Sequence, residues 1–129
     1  MNRVLIVLAL SCWCLAAVAA AAEPTTTRRG DTDACIKACN ECLRGCRECL
    51  VGCDCPSCEK QCLTCLETCR ACIALMAYEA PLSGEMCALC AQACANCAAE
   101  CLQCGDMPCC TRCAEACQRC HATCKAMAG

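Results

Sequence analysis

Twenty-four cysteines between Cys35 and Cys124 are the residues of this chain that can do chemistry. Cys35, Cys39, Cys42, Cys46, Cys49 and Cys53 are spaced alternately by four and three residues, as are Cys58, Cys62, Cys65, Cys69 and Cys72. Cys87, Cys90, Cys94, Cys97, Cys101 and Cys104, and then Cys110, Cys113, Cys117, Cys120 and Cys124, alternate three and four. Cys55 and Cys109 stand off this ladder. Thiols in such numbers have two uses, as soft ligands for metal ions or as partners in disulfides. Bridges within one helix are strained, because a disulfide wants Cβ atoms about 4 Å apart and helical neighbours lie about 5–6 Å apart. Bridges between helices remain open, and the even count allows a full set. Two metal–sulfur bonds in line span roughly 4.6 Å at the Zn–S length, which suits C-x-x-x-C and C-x-x-C on one helix face. Thiolates select Cu(I), Zn(II) or iron–sulfur clusters. Zinc prefers closed four-thiolate sites, and the ferredoxin run of cysteines is absent. Cu(I) accepts few ligands and shares bridging sulfurs, so a tube lined with thiols would hold many ions and release a proton for each.

The elements that must position these thiols follow from the same spacing. Alternation of three and four is the a/d seam of a heptad, so each run lines one face of a helix. Asp54-Cys55-Pro56-Ser57, the segment YEAPLSG from Tyr78 to Gly84, and Gly105-Asp106-Met107-Pro108 interrupt the runs with Pro and Gly. The reading is four helices over 33–53, 57–78, 84–104 and 108–126, with Asp33, Ser57 and Ser83 as N-cap candidates. Short connections make neighbours antiparallel, giving an all-α up-down-up-down four-helix bundle with a Cys-lined core. Thiols alone bury too little apolar area for such a core, so metal or disulfides must occupy it.

The ends of the chain bear on compartment. Residues 1–22 read as a signal peptide, with a basic start, an apolar run and Ala20 and Ala22 as an A-x-A site before Glu23. Residues 23–33 read as a flexible lead-in without apolar residues, and 34–127 as the bundle. The protein is expected to be exported, to the periplasm or beyond, and to leave the membrane once its leader is cleaved. Arg28-Arg29 follows the apolar stretch and is not a twin-arginine signal. A formal charge of −2, one His, two aromatics and no phosphate loop argue against nucleic-acid binding and against an enzyme.

The runs CIKACNECLRGCRECLVGC, CEKQCLTCLETCRAC, CALCAQACANCAAECLQC and CCTRCAEACQRCHATC resemble the bacterial copper storage proteins, over about Ala34 to Lys125. That resemblance implies a four-helix bundle whose interior cysteines bind multiple Cu(I) ions, subunits that form homo-oligomers, and a storage or sequestration role. Exported members of the family typically use twin-arginine export of folded protein. The leader here implies loading after export, with a possible copper donor or acceptor protein. The competing readings are a disulfide-laced helical scaffold without metal and a metallothionein-like Zn or Cd binder.

Smaller features carry their own expectations. Met76 and Met127 continue the seam where the next Cys would fall, and with Met86 they form either a thioether mouth for Cu(I) or an apolar cap. His121 is either an added ligand or a rim residue. Cys53, Cys55, Cys58, Cys104, Cys109, Cys110 and Met107 crowd the opposite end, where Cys55 and Cys109 would bind ions or stay as reactive thiols. The rows Ile36/Leu43/Leu50 and Leu66/Ile73 suit a subunit contact or a shielded flank. Lys37, Glu41, Arg44, Arg47 and Glu48 read as a solvated helix face.

Overall fold

A computed structural model describes residues 25–128. It contains four helices, α1 (Thr25–Gly52), α2 (Pro56–Ala77), α3 (Ser83–Gln103) and α4 (Pro108–Met127), and no strand among the described residues. Each helix packs on two others: α1 on α2 and α4, and α3 on α2 and α4. The diagonal pairs meet only through sulfurs in the core, at 3.9–4.0 Å, so the section is a square. Facing sulfurs give the directions. Along α1 and α4 the partners run Cys35–Cys124, Cys42–Cys117, Cys49–Cys110, one number rising as the other falls. The same holds for α1 with α2 and for α2 with α3, so neighbours are antiparallel, as expected. No helix among the described residues is long and apolar enough to cross a membrane. The expected signal peptide lies outside the described residues.

The expected bounds of α2, α3 and α4 agree with the structure to within a residue. That of α1 does not, because the helix begins at Thr25 and takes in most of the expected flexible lead-in. Asp33 is therefore inside a helix and caps nothing. Ser57 and Ser83 are also not N-caps: α2 and α4 start on Pro56 and Pro108 behind Cys55 and Met107, and α3 starts behind Leu82. Proline in the first turn lacks only an N–H that has no helical partner anyway, which explains the two Pro starts. The turn before α3 is tighter, with Glu79 (φ 49°) and Leu82 (φ 68°) both left-handed.

The walls are thin. Inside is sulfur, and between the helices lie the buried alanines Ala38, Ala91, Ala93, Ala98, Ala114 and Ala116 with Gly45. Side chains this small let helix axes approach closely. Leu43 and Leu66 are buried, with Ile36, Leu50 and Ile73 packed against the core, so these rows shield its flank. Glu41 and Glu48 meet Arg119 and Arg112 of α4 at 3.6 and 3.2 Å on the outer surface. Exposed pairs of this kind contribute about 0–1 kcal/mol.

Candidate metal centre

The structure sorts the cysteines into two ladders. Across α1 and α4 the sulfurs of Cys35–Cys124, Cys39–Cys120, Cys42–Cys117, Cys46–Cys113 and Cys49–Cys110 stand 3.5, 3.5, 3.4, 3.8 and 3.7 Å apart. Across α2 and α3 those of Cys58–Cys101, Cys62–Cys97, Cys65–Cys94, Cys69–Cys90 and Cys72–Cys87 stand 3.5, 3.7, 3.6, 3.6 and 3.4 Å apart. Cys42–Cys65 and Cys49–Cys58, both at 3.4 Å, join one ladder to the other. All of these residues are buried, and every described cysteine is a free thiol. Sulfurs on one helix face also remain within reach of a shared ion, as the spacing predicts. Sulfurs four apart on a helix lie at 3.8–4.0 Å, and the shortest separations are between helices, because Ala and Gly walls draw the helices in.

The ladders make overlapping four-sulfur groups, each within 4.8 Å. Cys39, Cys69, Cys90 and Cys120 form one, with one residue from each helix; Cys39, Cys72, Cys90 and Cys124 form the next, and Cys42, Cys69, Cys94 and Cys120 another. Cys46 and Cys117 are shared between two further groups, with Cys42 and Cys65 in one and Cys97 and Cys113 in the other. No group owns its sulfurs. At a metal–sulfur length of about 2.3 Å, three-coordinate and tetrahedral ions hold sulfurs roughly 4.0 and 3.8 Å apart, and a linear ion about 4.6 Å. The observed spacing suits bent and three-coordinate bonding as it stands, and linear bonding after opening by about 1 Å or through the longer pairs of each group.

Packing so many thiols together sets their protonation. Neighbouring thiols donate to whichever sulfur carries charge, and burial opposes every charge. Cys97 is lowered to about 6 by Cys101, and Cys120 to about 6 by Cys124. Burial pushes Cys49 up to about 12 and also raises Cys58, Cys87 and Cys110. A raised thiol stabilises the fold while it is protonated in both states, and this is lost as pH rises from the ordinary cysteine value toward about 12. The lowered thiols contribute in the opposite sense, through stability lost as pH falls through about 6. In the reduced apo chain, ultraviolet titration should find most thiols still protonated where free cysteine is half ionised. Further thiolate should appear together with loss of helicity, and full ionisation with the helices intact would contradict this account.

A family model described as copper storage protein matches residues 22–129. The chain belongs to the copper storage protein family. Two solved structures share its fold. The chain is similar to Cu(I)-bound copper storage protein BsCsp3, at 32% identity and a TM-score of 0.73, over 77% of this chain and 99% of that one. It is also similar to apo copper storage protein 3 from Bacillus subtilis, at 34% identity and a TM-score of 0.73, over 76% and 99%. No curated protein matches it. In this member of the copper storage protein family, the features outside the ladders separate. His121 Nδ1 lies 2.9 Å from the Ala91 carbonyl, tying α4 to α3, so that nitrogen is engaged in the wall. Met76 is buried with Sδ 3.6 Å from Cys87 Sγ, and Met86 and Met127 pack on the same end of the core. Cys53 is buried at the opposite end, and Cys55, Cys104 and Cys109 are half-buried around it. What sequence reasoning missed was the wall. The Ala beside Cys87, Cys90, Cys94, Cys97, Cys113 and Cys117 of α3 and α4 was the available signal.

Proposed function

We propose that this chain stores Cu(I), holding many ions on the thiolates that line its bundle. The observation that carries the proposal is the sharing of sulfurs between adjacent four-sulfur groups, which suits a bridged, extendable copper–thiolate array and not a set of separate tetrahedral sites. Family membership supports it, as does the Cu(I)-bound relative of the same fold. The role we read is storage, which membership of the copper storage protein family supports. The ligands we assign are the ladder cysteines, with Cys53, Cys55, Cys104 and Cys109 at one end. Loading after export is supported by the leader read in residues 1–22, and association into homo-oligomers by the exposed Leu63, Leu89 and Leu102.

Anaerobic titration of the reduced chain with Cu(I) against a competing chelator tests the proposal. Separate four-thiolate sites would saturate at about six ions for these 24 thiols. We expect saturation well above that, with free thiols disappearing in step. Few ions bound, together with no free thiol in the isolated protein, would favour the disulfide scaffold; saturation at or below about six would favour zinc-type sites.

A further inference from the structure

The two ends of the tube differ in what they offer an ion arriving from solvent. At the end formed by the start of α1 and the turn before α3, a cavity of about 980 Å³ is lined by Met76 and Met127 among charged residues, and by no cysteine. The terminal thiols beneath it, Cys35, Cys72, Cys87 and Cys124, are all at most 1% exposed. At the other end, where the α1–α2 and α3–α4 loops meet, a cavity of about 480 Å³ is lined by Cys53, Cys55, Cys104 and Met107, with Asp54 and Glu100. Cys55 and Cys104 are half-buried and face the cavity, and Cys109 lies beside it. A side chain at Gly52, which also lines the cavity, would come within 3.0 Å of the Cys109 sulfur, so this glycine lets that sulfur rest against α1.

The thiols here lead inward. Cys53, Cys55 and Cys104 line the one cavity, and Cys53 is the buried one of the three. Cys58 and Cys110 lie 3.4 and 3.7 Å from Cys49, the last rung of one ladder, and Cys58 lies 3.5 Å from Cys101, the last rung of the other. These inner separations are within reach of an ion that makes one Cu–S bond before breaking the previous one. The Ser57 hydroxyl, 3.2 Å from the Cys55 sulfur, can donate to the thiolate that starts the sequence. The two nearby carboxylates favour a cation, and no basic residue lines the cavity.

Resting on the storage reading, we infer that this loop-end cluster is the port through which Cu(I) enters and leaves the array, by thiolate exchange at Cys55, Cys104 and Cys109. On loading, a Cu–S bond forms to Cys55 or Cys104 as a bond to the carrier's sulfur breaks. The thiol proton passes to water, the carrier's thiolate recovers one, and copper remains Cu(I). Departure is the reverse, with an accessible sulfur at the rim for a competing ligand to displace.

The test is the rate at which excess bicinchoninate withdraws copper from the loaded, reduced full chain. In Cys55→Ser/Cys104→Ser/Cys109→Ser, withdrawal should slow by about tenfold or more, since exchange depends on an accessible thiolate. Capacity should fall by about three ions at most, one per removed thiol, with helicity unchanged. Should the triple variant fold poorly, Cys55→Ser alone should still slow withdrawal severalfold, its sulfur being off the ladders. Withdrawal at the wild-type rate from either folded variant would overturn the port. So would a tenfold slowing in Met76→Leu/Met127→Leu without one in the triple variant, which would move the route to the other end. Failure of the wild-type chain to load many ions would instead sink the storage reading itself.

Discussion

Loaded with Cu(I), the chain should unfold at least about 20 °C above its reduced apo form. The apo bundle has little to hold it. Among the described residues its buried side chains are cysteines and alanines with only Leu43, Leu66 and Met76 of larger size, and each small side chain contributes a fraction of what a buried Leu would. Ions that bind the assembled ladders far better than the unfolded chain add their binding free energy to folding. In a domain of about this size each added kcal/mol raises the midpoint by roughly 4–8 °C, so about 5 kcal/mol, a fraction of what one structural zinc supplies, is enough. Helical ellipticity followed against temperature under anaerobic conditions, with and without copper, checks this. Coincident melting curves would mean that copper binds folded and unfolded chains alike, and that the ladders are not its site.

Replacing Gly45 by leucine should destabilise the apo bundle by about 3 kcal/mol and open one rung. Gly45 is buried in the α1–α4 wall, and a Cβ there would stand 3.2 Å from the Cys113 Cα and 3.5 Å from the Ala116 Cβ. The obstacle is backbone, so the helices must part to admit a larger side chain, and Cys46 and Cys113, whose sulfurs lie 3.8 Å apart, part with them. Gly45→Ala sets two effects against each other. Alanine improves helix propensity by about 1 kcal/mol, and its methyl group needs the wall to yield by a few tenths of an ångström. The alanine variant should therefore stay within about 1 kcal/mol of the parent. Urea unfolding of the three apo proteins gives the order, and a leucine variant as stable as the parent would show that the wall is not closely packed at this point.

The sequence disclosed the bundle through its cysteines, because a 3/4 alternation is legible wherever one residue type marks the buried stripe. For the same reason it placed α2, α3 and α4 closely. It placed α1 late because Thr25 to Asp33 carries no apolar stripe. In the structure a Cβ at Gly30 would meet nothing within 4 Å. Local hydrogen bonding such as Thr32 Oγ1 to the Arg28 carbonyl, 3.0 Å, is what a periodicity argument does not see. The caps differ for a related reason. Ser and Asp offer side-chain acceptors in the sequence, whereas α2, α3 and α4 start on proline or behind a left-handed leucine with no side-chain cap bond. The cysteines that line the interior could be written down from spacing, but which thiols face one another depends on how near the helices come. That distance is set by Gly45 and the buried alanines, whose part shows only after the helices are placed side by side.

The shared sulfurs of neighbouring groups also bear on how such a protein can change over generations. A store made of separate sites gains capacity only by inventing another site, and loses a whole site with each damaged ligand. Here the interior behaves as a one-dimensional lattice, in which neighbouring positions borrow ligands from one another. A lost thiol lets the ions around it redistribute. An insertion of one heptad in every helix adds roughly eight ligands in register with those already present. Capacity in this architecture is a matter of length, and length is among the easiest things for a gene of repeated helical turns to vary.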